Sequence, residues 1–133
     1  MMKYPEGPDD ARSTFLGVAW PHTREEVSQM VGFEAKAAGE LANKNMKTMG
    51  IDWVSFEGRR MQYRAPERGE FHALIAEAMR EKVRQNSAVC DVLLSTGDLI
   101  LRPDHRQADD APPAWRYCEI MMEIRGELRK GVE

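Results

Sequence analysis

The chain has 133 residues, of which 42% are hydrophobic and 31% charged, and this composition is typical of one ordinary soluble domain with a single core. Its formal net charge of −3 gives no general attraction to polyanions, so nucleic-acid binding would require a local basic patch. The chain contains no run of about 18 or more apolar residues and no signal-peptide pattern. We therefore expect no membrane insertion, no classical secretion and a cytoplasmic location.

The N-terminal segment is rich in turn-forming residues. Residues 1–12 contain prolines, a glycine and aspartates, which favour irregular chain over a packed element. We predict a surface lead-in over residues 1–12, followed by a single domain over residues 13–133. The apolar residues between positions 15 and 20 suit either a short strand or a buried loop.

A capping-box pattern marks the first predicted helix. Thr23 stands three residues before Glu26, so the hydroxyl and the carboxylate can each accept a backbone N–H at the helix start. The apolar spacing continues the helix through Val27, with Gly32 as a candidate break. The pattern ends before Gly50.

The segment from residue 50 to residue 66 mixes aromatic and basic side chains. Its alternation predicts either short strands or an irregular packed loop. Arg59 and Arg60 are candidates for a phosphate site, because a guanidinium group matches phosphate oxygens bidentately. The alternative is a solvated charged surface, since Glu57 and Glu67 lie nearby in the sequence.

Residues 71–101 carry the strongest periodic pattern in the chain. Helical spacing of five apolar residues predicts a long amphipathic helix that starts near Pro66: Phe71, Leu74, Ile75, Met79 and Val83. Asn86 or Ser87 is expected to cap a second, apolar helix, and Gly97 suits a turn after it. Residues 99–101 then have the pattern of a buried, strand-like run.

A polar loop and a last helix complete the chain. The loop contains three prolines and is long enough for a functional role; Asp104 and His105 are one acid–base candidate in it, with ordinary loop residues as the alternative. Apolar spacing predicts a helix over about 113–130. Cys90 and Cys118 lack metal-ligand spacing and are predicted to be two reduced core thiols, so no metal site is expected.

Several short strings, in order along residues 34–128, resemble the motifs of one known family. They are Ala35-Lys36 with Gly39, Asp52-Trp53, residues 80–86, Leu93-Leu94-Ser95-Thr96-Gly97-Asp98 with Leu101, and residues 120–125 with Leu128. This set is similar to the NADAR (YbiA-like) N-glycosidase family. The resemblance implies a helix-rich α+β fold, in a single small domain with NADAR-like architecture and minor β structure. It also implies hydrolysis of an N-glycosidic bond in a ribosyl-phosphate or ADP-ribosyl compound.

The resemblance extends to a catalytic glutamate near the N-terminus. The family places this residue in a motif that opens with an aromatic residue and a proline, as Trp20 and Pro21 do here. A one-residue shift brings Glu25 to the glutamate position, while Glu26 stands where the family has histidine. The alternative for both glutamates is a solvated first helical turn that complements the helix dipole.

The same resemblance implies a sugar pocket that includes part of the late loop. Asp110 and Trp115 are the nearest equivalents of the family's aspartate and tryptophan, although the spacing is longer and Arg116 replaces the family's glycine. In this hypothesis Trp20 and Trp115 form the walls of the pocket.

The motifs that are absent narrow the chemistry further. The sequence has no P-loop, dinucleotide-binding glycine motif or zinc-hydrolase motif. Carboxylates, tryptophans and arginines remain, and they suit N-glycosidic cleavage, in which a carboxylate stabilises an oxocarbenium-like centre. Glu25 is the predicted acid–base group, Asp110 the second polar group, and Lys36 with Arg59 or Arg60 the phosphate ligands. This chemistry requires no metal or redox cofactor.

Two other hypotheses stay open. One is a shortened relative that has lost catalysis and acts as a binding or inhibitory protein, recognising an ADP-ribose-like ligand or a protein partner. The other is a purely structural helical protein. ADP-ribosylated nucleic acid is a further candidate substrate, and the sequence carries no pattern that indicates an oligomeric state.

Overall fold

The structure is a computed structural model that describes residues 1–104 and 106–131. The fold is helix-rich α+β, with one two-stranded antiparallel sheet among the described residues. The chain divides into two compact units between Tyr63 and Arg64, and we describe each unit by itself. None of the helices in the described ranges is both long and apolar enough to cross a lipid bilayer.

The elements follow the chain in a simple order. They are α1 (Arg24–Ser28), α2 (Gly32–Met49), β1 (Trp53–Phe56), β2 (Arg59–Gln62), α3 (Glu70–Gln85), α4 (Ser87–Ser95), a short 3₁₀ turn (Pro113–Trp115) and α5 (Tyr117–Arg129).

The start of α1 confirms the predicted capping box. The amide of Glu26 donates to Thr23 Oγ1 at 3.1 Å, and the amide of Thr23 donates to Glu26 Oε1 at 2.9 Å. The hydrogen bond from the Thr23 amide to the Glu26 carboxylate is the main reason that the pKa of Glu26 lies below its usual value. The predicted break is also confirmed: Gly32 has a φ of 61°, and α2 begins there and ends before Gly50.

The expectation of a surface lead-in is wrong for two residues of the N-terminal segment. The side chains of Tyr4 and Arg12 are each only 1% exposed. Tyr4 packs with Val27 and Ala42, and its hydroxyl donates to Ala38 O at 2.9 Å, so a buried aromatic ring finds both apolar neighbours and a polar partner. Residues 1–12 nevertheless form no helix or strand.

The following apolar stretch is neither a strand nor a buried loop at its start. Phe15 is 42% exposed and Leu16 is 93% exposed. Only Trp20 from the end of this stretch packs against the core cluster of the first unit. A short apolar run without a strand partner gains little from an extended conformation, and here it stays a surface turn.

A hairpin of β1 and β2 confirms the prediction of short strands. Trp53 pairs with Gln62 and Phe56 pairs with Arg59 in an antiparallel register. The connecting residues Glu57 and Gly58 both have positive φ angles, 51° and 77°, as a two-residue type I′ turn requires. Val54 and Met61 are the buried pair of this hairpin.

The second unit is a three-helix core. Its buried cluster combines residues of α3, α4 and α5: Ala76, Val83, Leu93, Ile120 and Ile124. Helix α3 begins at Glu70, so the predicted start near Pro66 is wrong by one turn. Gly69 is the N-cap of α3 and has an extended backbone. Glycine is unfavourable in a helix interior, so the helix begins after this residue. Helix α5 similarly begins at Tyr117, after the 3₁₀ turn, and not near Pro113.

The predicted buried strand at residues 99–101 is wrong. Leu99 is 67% exposed and Ile100 is 73% exposed, and no strand is assigned there. Because the described strands pair only with each other in the hairpin, this run has no ladder partner. Leu101 alone packs against the core of the second unit, and its amide contacts the sulfur of Met122 at 3.5 Å.

Asn86 occupies the N-cap of α4, as expected, but its side chain does not form the predicted capping hydrogen bond. Its side-chain amide donates to Lys82 O at 2.8 Å and accepts no helix N–H.

Of the loop candidates Asp104 and His105, the histidine lies outside the described residues. Cys90 and Cys118 are free and half-buried.

Candidate functional site

Some residues that carry the family resemblance link α3 to α5 in the second unit. Arg80 donates from Nε and Nη2 to the two carboxylate oxygens of Glu127, both at 2.9 Å. This bidentate contact is the largest cause of the raised pKa of Arg80. Arg80 therefore joins α3 to α5 through its side chain.

The Thr96-Gly97-Asp98 string is likewise joined to α5. Arg125, only 8% exposed, donates from Nη1 to Thr96 Oγ1 at 2.8 Å. Arg129 donates to Asp98 Oδ1 at 2.5 Å, and this hydrogen bond lowers the pKa of Asp98. Two motifs that are 29 residues apart thus meet through side-chain hydrogen bonds.

The first unit contains a cavity of about 440 Å³ beside α1, which we call the N-terminal cavity. Residues 5–8 form one wall of the cavity, and the residues just before and at the start of α1 form another. Its chemically relevant side chains are Glu6, Trp20, His22, Arg24 and Glu25. Two predicted site residues, Trp20 and Glu25, therefore line the same cavity.

Trp20 is a fixed wall of the N-terminal cavity. Its indole Nε1 donates to Arg12 O at 2.9 Å. Its ring meets the ring of Tyr4 edge to face, with centroids 4.9 Å apart and an interplanar angle of 61°. Both contacts restrict the indole, as a platform for a sugar or base requires.

The capping box distinguishes the two adjacent glutamates. Glu26 is engaged with Thr23 at the helix start, whereas Glu25 is exposed and lines the N-terminal cavity. No described side chain or amide forms a hydrogen bond with the Glu25 carboxylate. Its carboxylate is therefore accessible to a ligand, while the Glu26 carboxylate is occupied by helix capping.

Glu6 is a second carboxylate of the N-terminal cavity that sequence reasoning missed. Its Oε1 accepts from the amide of Gly58 at 3.0 Å and lies 3.5 Å from Arg24 Nη1. The hydrogen bond from Gly58 is the main cause of the lowered pKa of Glu6, so this carboxyl group is ionised at neutral pH. The partner is 52 residues away in the chain, and no local pattern indicates it.

Arg24 belongs to the wall of the cavity and is not a free anion ligand. Its nitrogens donate to the carbonyls of Met2, Tyr4 and Ser55 at 2.6–3.1 Å, and Nη2 also reaches Ser55 Oγ at 3.0 Å. Burial lowers the pKa of Arg24. The guanidinium therefore ties the N-terminal segment to the hairpin.

His22 also lines the N-terminal cavity. It was not among the site residues predicted from the sequence, although it directly follows the Trp20-Pro21 pair.

The three predicted phosphate ligands do not line the N-terminal cavity. Lys36 is exposed on α2, and Arg59 is exposed on β2. Arg60 lies over the ring of Trp53 at 3.9 Å, and Arg12 lies over the same ring at 4.5 Å. This cation–π contact with Trp53 gives Arg60 a structural role that involves no phosphate.

The two predicted residues of the late loop belong to the second unit. Trp115 lines a cavity of about 380 Å³ together with Arg102 and Gln107, and Arg64 lies over its ring at 4.8 Å. Asp110 is exposed and does not line that cavity. The structure thus brings Trp20 together with Glu25, and it does not bring Asp110 and Trp115 together in one cavity.

No group of three or more His, Cys, Asp or Glu side chains suited to a metal ion occurs within residues 1–104 and 106–131. No protein-family model, curated protein or solved structure matches the chain.

Proposed function

We propose that the N-terminal cavity hydrolyses an N-glycosidic bond of a ribosyl-phosphate or ADP-ribosyl compound, in a chain with NADAR-like architecture. The observation that carries this proposal is the joint presence of the Glu25 carboxylate and the Trp20 indole in one cavity of about 440 Å³. A cavity of this size is in the usual range for small-molecule sites.

The residues of the cavity have complementary roles in this reaction. As the base leaves, the ribosyl centre becomes oxocarbenium-like and positive charge develops there. Glu6 is held ionised by Gly58 and Arg24, so it stabilises that charge. Glu25 is the acid–base group that activates water, and Trp20 packs against the sugar or the base.

One observation weakens phosphate recognition both in this proposal and in the rival hypothesis of a binding or inhibitory protein. Arg24 is the only arginine or lysine among the described residues that line the N-terminal cavity, and its nitrogens already donate to backbone carbonyls. A phosphate would therefore bind without a dedicated cation in this cavity. In the rival proposal the cavity binds an ADP-ribose-like ligand and no bond is broken.

The test compares the wild-type protein with Glu25→Gln on ADP-ribosylated guanosine and on ribosylaminopyrimidine phosphates. Loss of a positioned acid–base group is expected to lower turnover by about a hundredfold or more. Glu34→Gln is the matched control, because Glu34 is also an exposed glutamate in a first helical turn of the first unit and lies outside the cavity. Wild-type turnover in Glu25→Gln would remove Glu25 from the mechanism.

Calorimetric titration with ADP-ribose separates the two proposals. Saturable binding that Trp20→Ala abolishes, without turnover of either substrate class, supports the binding protein. The absence of both binding and turnover contradicts both proposals and leaves a structural role.

A further inference from the structure

The second unit contains another cavity, of about 430 Å³, which we call the helical cavity. It lies where the second half of α3, the first turns of α4 and the last turns of α5 meet. None of the predicted site residues lines it. It is therefore independent of the proposed glycosidase site.

The floor of the helical cavity is apolar. Val83 and Ile124 are each 2% exposed and belong to the core cluster of the second unit. Leu128 and Cys90 are half-buried and pack against the same cluster. An apolar body placed here would cover the half-buried Leu128 and Cys90, and burial of its own apolar surface would drive binding.

The rim of the helical cavity is charged, and its arginines are already engaged. Arg80 holds Glu127 through two hydrogen bonds and lies 3.5 Å from Glu77. Arg84 holds Glu81 through hydrogen bonds of 3.1 Å and 2.6 Å. The two guanidinium groups of the rim are thus neutralised by carboxylates of the same rim.

Carboxylates remain in excess after this pairing. The rim has four carboxylates, on Glu77, Glu81, Asp91 and Glu127, against the two arginines. Asp91 is exposed and forms no ion pair with another described residue. The side chain of Glu77 is 63% exposed, and it lies 3.5 Å from Arg80, whereas Glu127 lies 2.9 Å from the same arginine. The residual negative charge is therefore concentrated at Asp91 and Glu77.

We propose that the helical cavity binds a small organic ammonium ion with an apolar body. The body lies on Val83, Ile124 and Leu128, and the ammonium faces Asp91 and Glu77. Charge complementarity selects this ligand class, because the excess carboxylates would repel an anion and would give a neutral ligand no charge attraction. A volume of about 430 Å³ accommodates a phenylalkyl chain and its ammonium group.

The test uses three ligands that share one apolar body and differ in the head group: phenylbutylamine, phenylbutanol and phenylbutanoate. Each is titrated into the isotopically labelled full chain at low ionic strength, and the amide shifts of Ser87, Asp91 and Leu128 are followed. The amine is expected to bind saturably and about tenfold more tightly than the alcohol, as one charge-assisted contact would give. The carboxylate is expected to bind more weakly than the alcohol.

Variants on the rim locate the charge effect without disturbing the core. Asp91→Asn and Glu77→Gln are each expected to weaken amine binding about three- to tenfold and to leave alcohol binding unchanged. Asp109→Asn is the matched control, because Asp109 is an exposed aspartate of the same unit outside the helical cavity. Equal binding of amine and alcohol, equal weakening by the control, or no saturable binding of the amine would overturn the proposal.

Discussion

Replacing the buried Arg12 with methionine is expected to destabilise the first unit strongly. Arg12 is 1% exposed, and its Nε and Nη2 atoms donate to the two carboxylate oxygens of Asp10 at 2.9 and 2.8 Å. Nη1 donates to Met2 O at 2.9 Å, and Nη2 also donates to Ser55 Oγ. Methionine fills much of the same volume but removes every guanidinium donor, so Asp10 loses its counter-ion. Met2 O and Ser55 Oγ keep their hydrogen bonds from Arg24.

The magnitude follows from the charge that remains. The Asp10 side chain is only 11% exposed, so removal of Arg12 leaves a buried carboxylate without its counter-ion. Breaking a buried pair from one side costs about 3–5 kcal/mol. With a urea dependence of about 2 kcal/mol per molar, the unfolding midpoint is expected to fall by about 2 M.

The assay is urea unfolding followed by tryptophan fluorescence. Trp53 lies 4.5 Å from the Arg12 guanidinium, so its emission reports on this region. Lys44→Met is the control, because Lys44 is an exposed side chain of α2 without an ion pair among the described residues, and its change is expected to stay within about 0.5 kcal/mol.

The pH dependence provides a second measurement on the same pair. Burial alone would raise the pKa of Asp10, but hydrogen bonds from the Arg12 side chain and from the amides of Glu6 and Arg12 hold that pKa well below its usual range. The stabilisation from ionised Asp10 is therefore fully present above about pH 4, its unfolded value, and is lost as the pH falls further towards the folded pKa. The stability difference between wild type and Arg12→Met is expected to shrink below pH 4. A difference below 1 kcal/mol at pH 7, or one that does not change with pH, would refute the reasoning.

Three smaller changes test other parts of the structure. In a double-mutant cycle of Arg80→Ala and Glu127→Ala, the half-exposed bidentate pair is expected to show a coupling energy of about 1 kcal/mol by chemical denaturation. Ile124→Ala is expected to cost about 2–5 kcal/mol because Ile124 is 2% exposed, whereas Ile100→Ala, at 73% exposed, is expected to change stability by less than about 0.5 kcal/mol. Thr23→Ala removes a capping acceptor and is expected to cost about 1 kcal/mol in thermal unfolding.

Each of these expectations has a result that contradicts it. A coupling energy near zero would show that the Arg80 pair does not stabilise the helices. A large loss of stability in Ile100→Ala would mean that residues 99–101 are buried after all. An unchanged melting temperature in Thr23→Ala, with Ser28→Ala as the control at the other end of α1, would contradict the role of the capping box.

Local patterns in the sequence were sufficient for most of the helices. The Thr23–Glu26 box, the break at Gly32 and the end before Gly50 are confirmed because each depends on residues within one helical turn. The apolar spacing of α3 correctly identified Phe71 and Val83 as buried. Trp20 and Glu25, which the family resemblance singled out, line one cavity and are five residues apart in the chain.

The failed predictions for the N-terminal segment depended on partners distant in the chain. Tyr4 and Arg12 look like surface residues until Ala38 and Ser55 provide their hydrogen-bond acceptors, and Glu6 joins the N-terminal cavity only because Gly58 holds it there. These contacts span 34 to 52 residues, and no periodic signal encodes them.

The sequence alone therefore determined most of the helical segments, because caps, glycine breaks and apolar spacing act within a few residues. The starts of α3 and α5 were exceptions. Only the tertiary structure decided the burial of Tyr4 and Arg12 and which carboxylates face a cavity, since these depend on groups that come together when the chain folds. Leu99 and Ile100 show the difference most clearly: their apolar pattern resembles a core strand, but without a partner strand among the described residues they remain exposed.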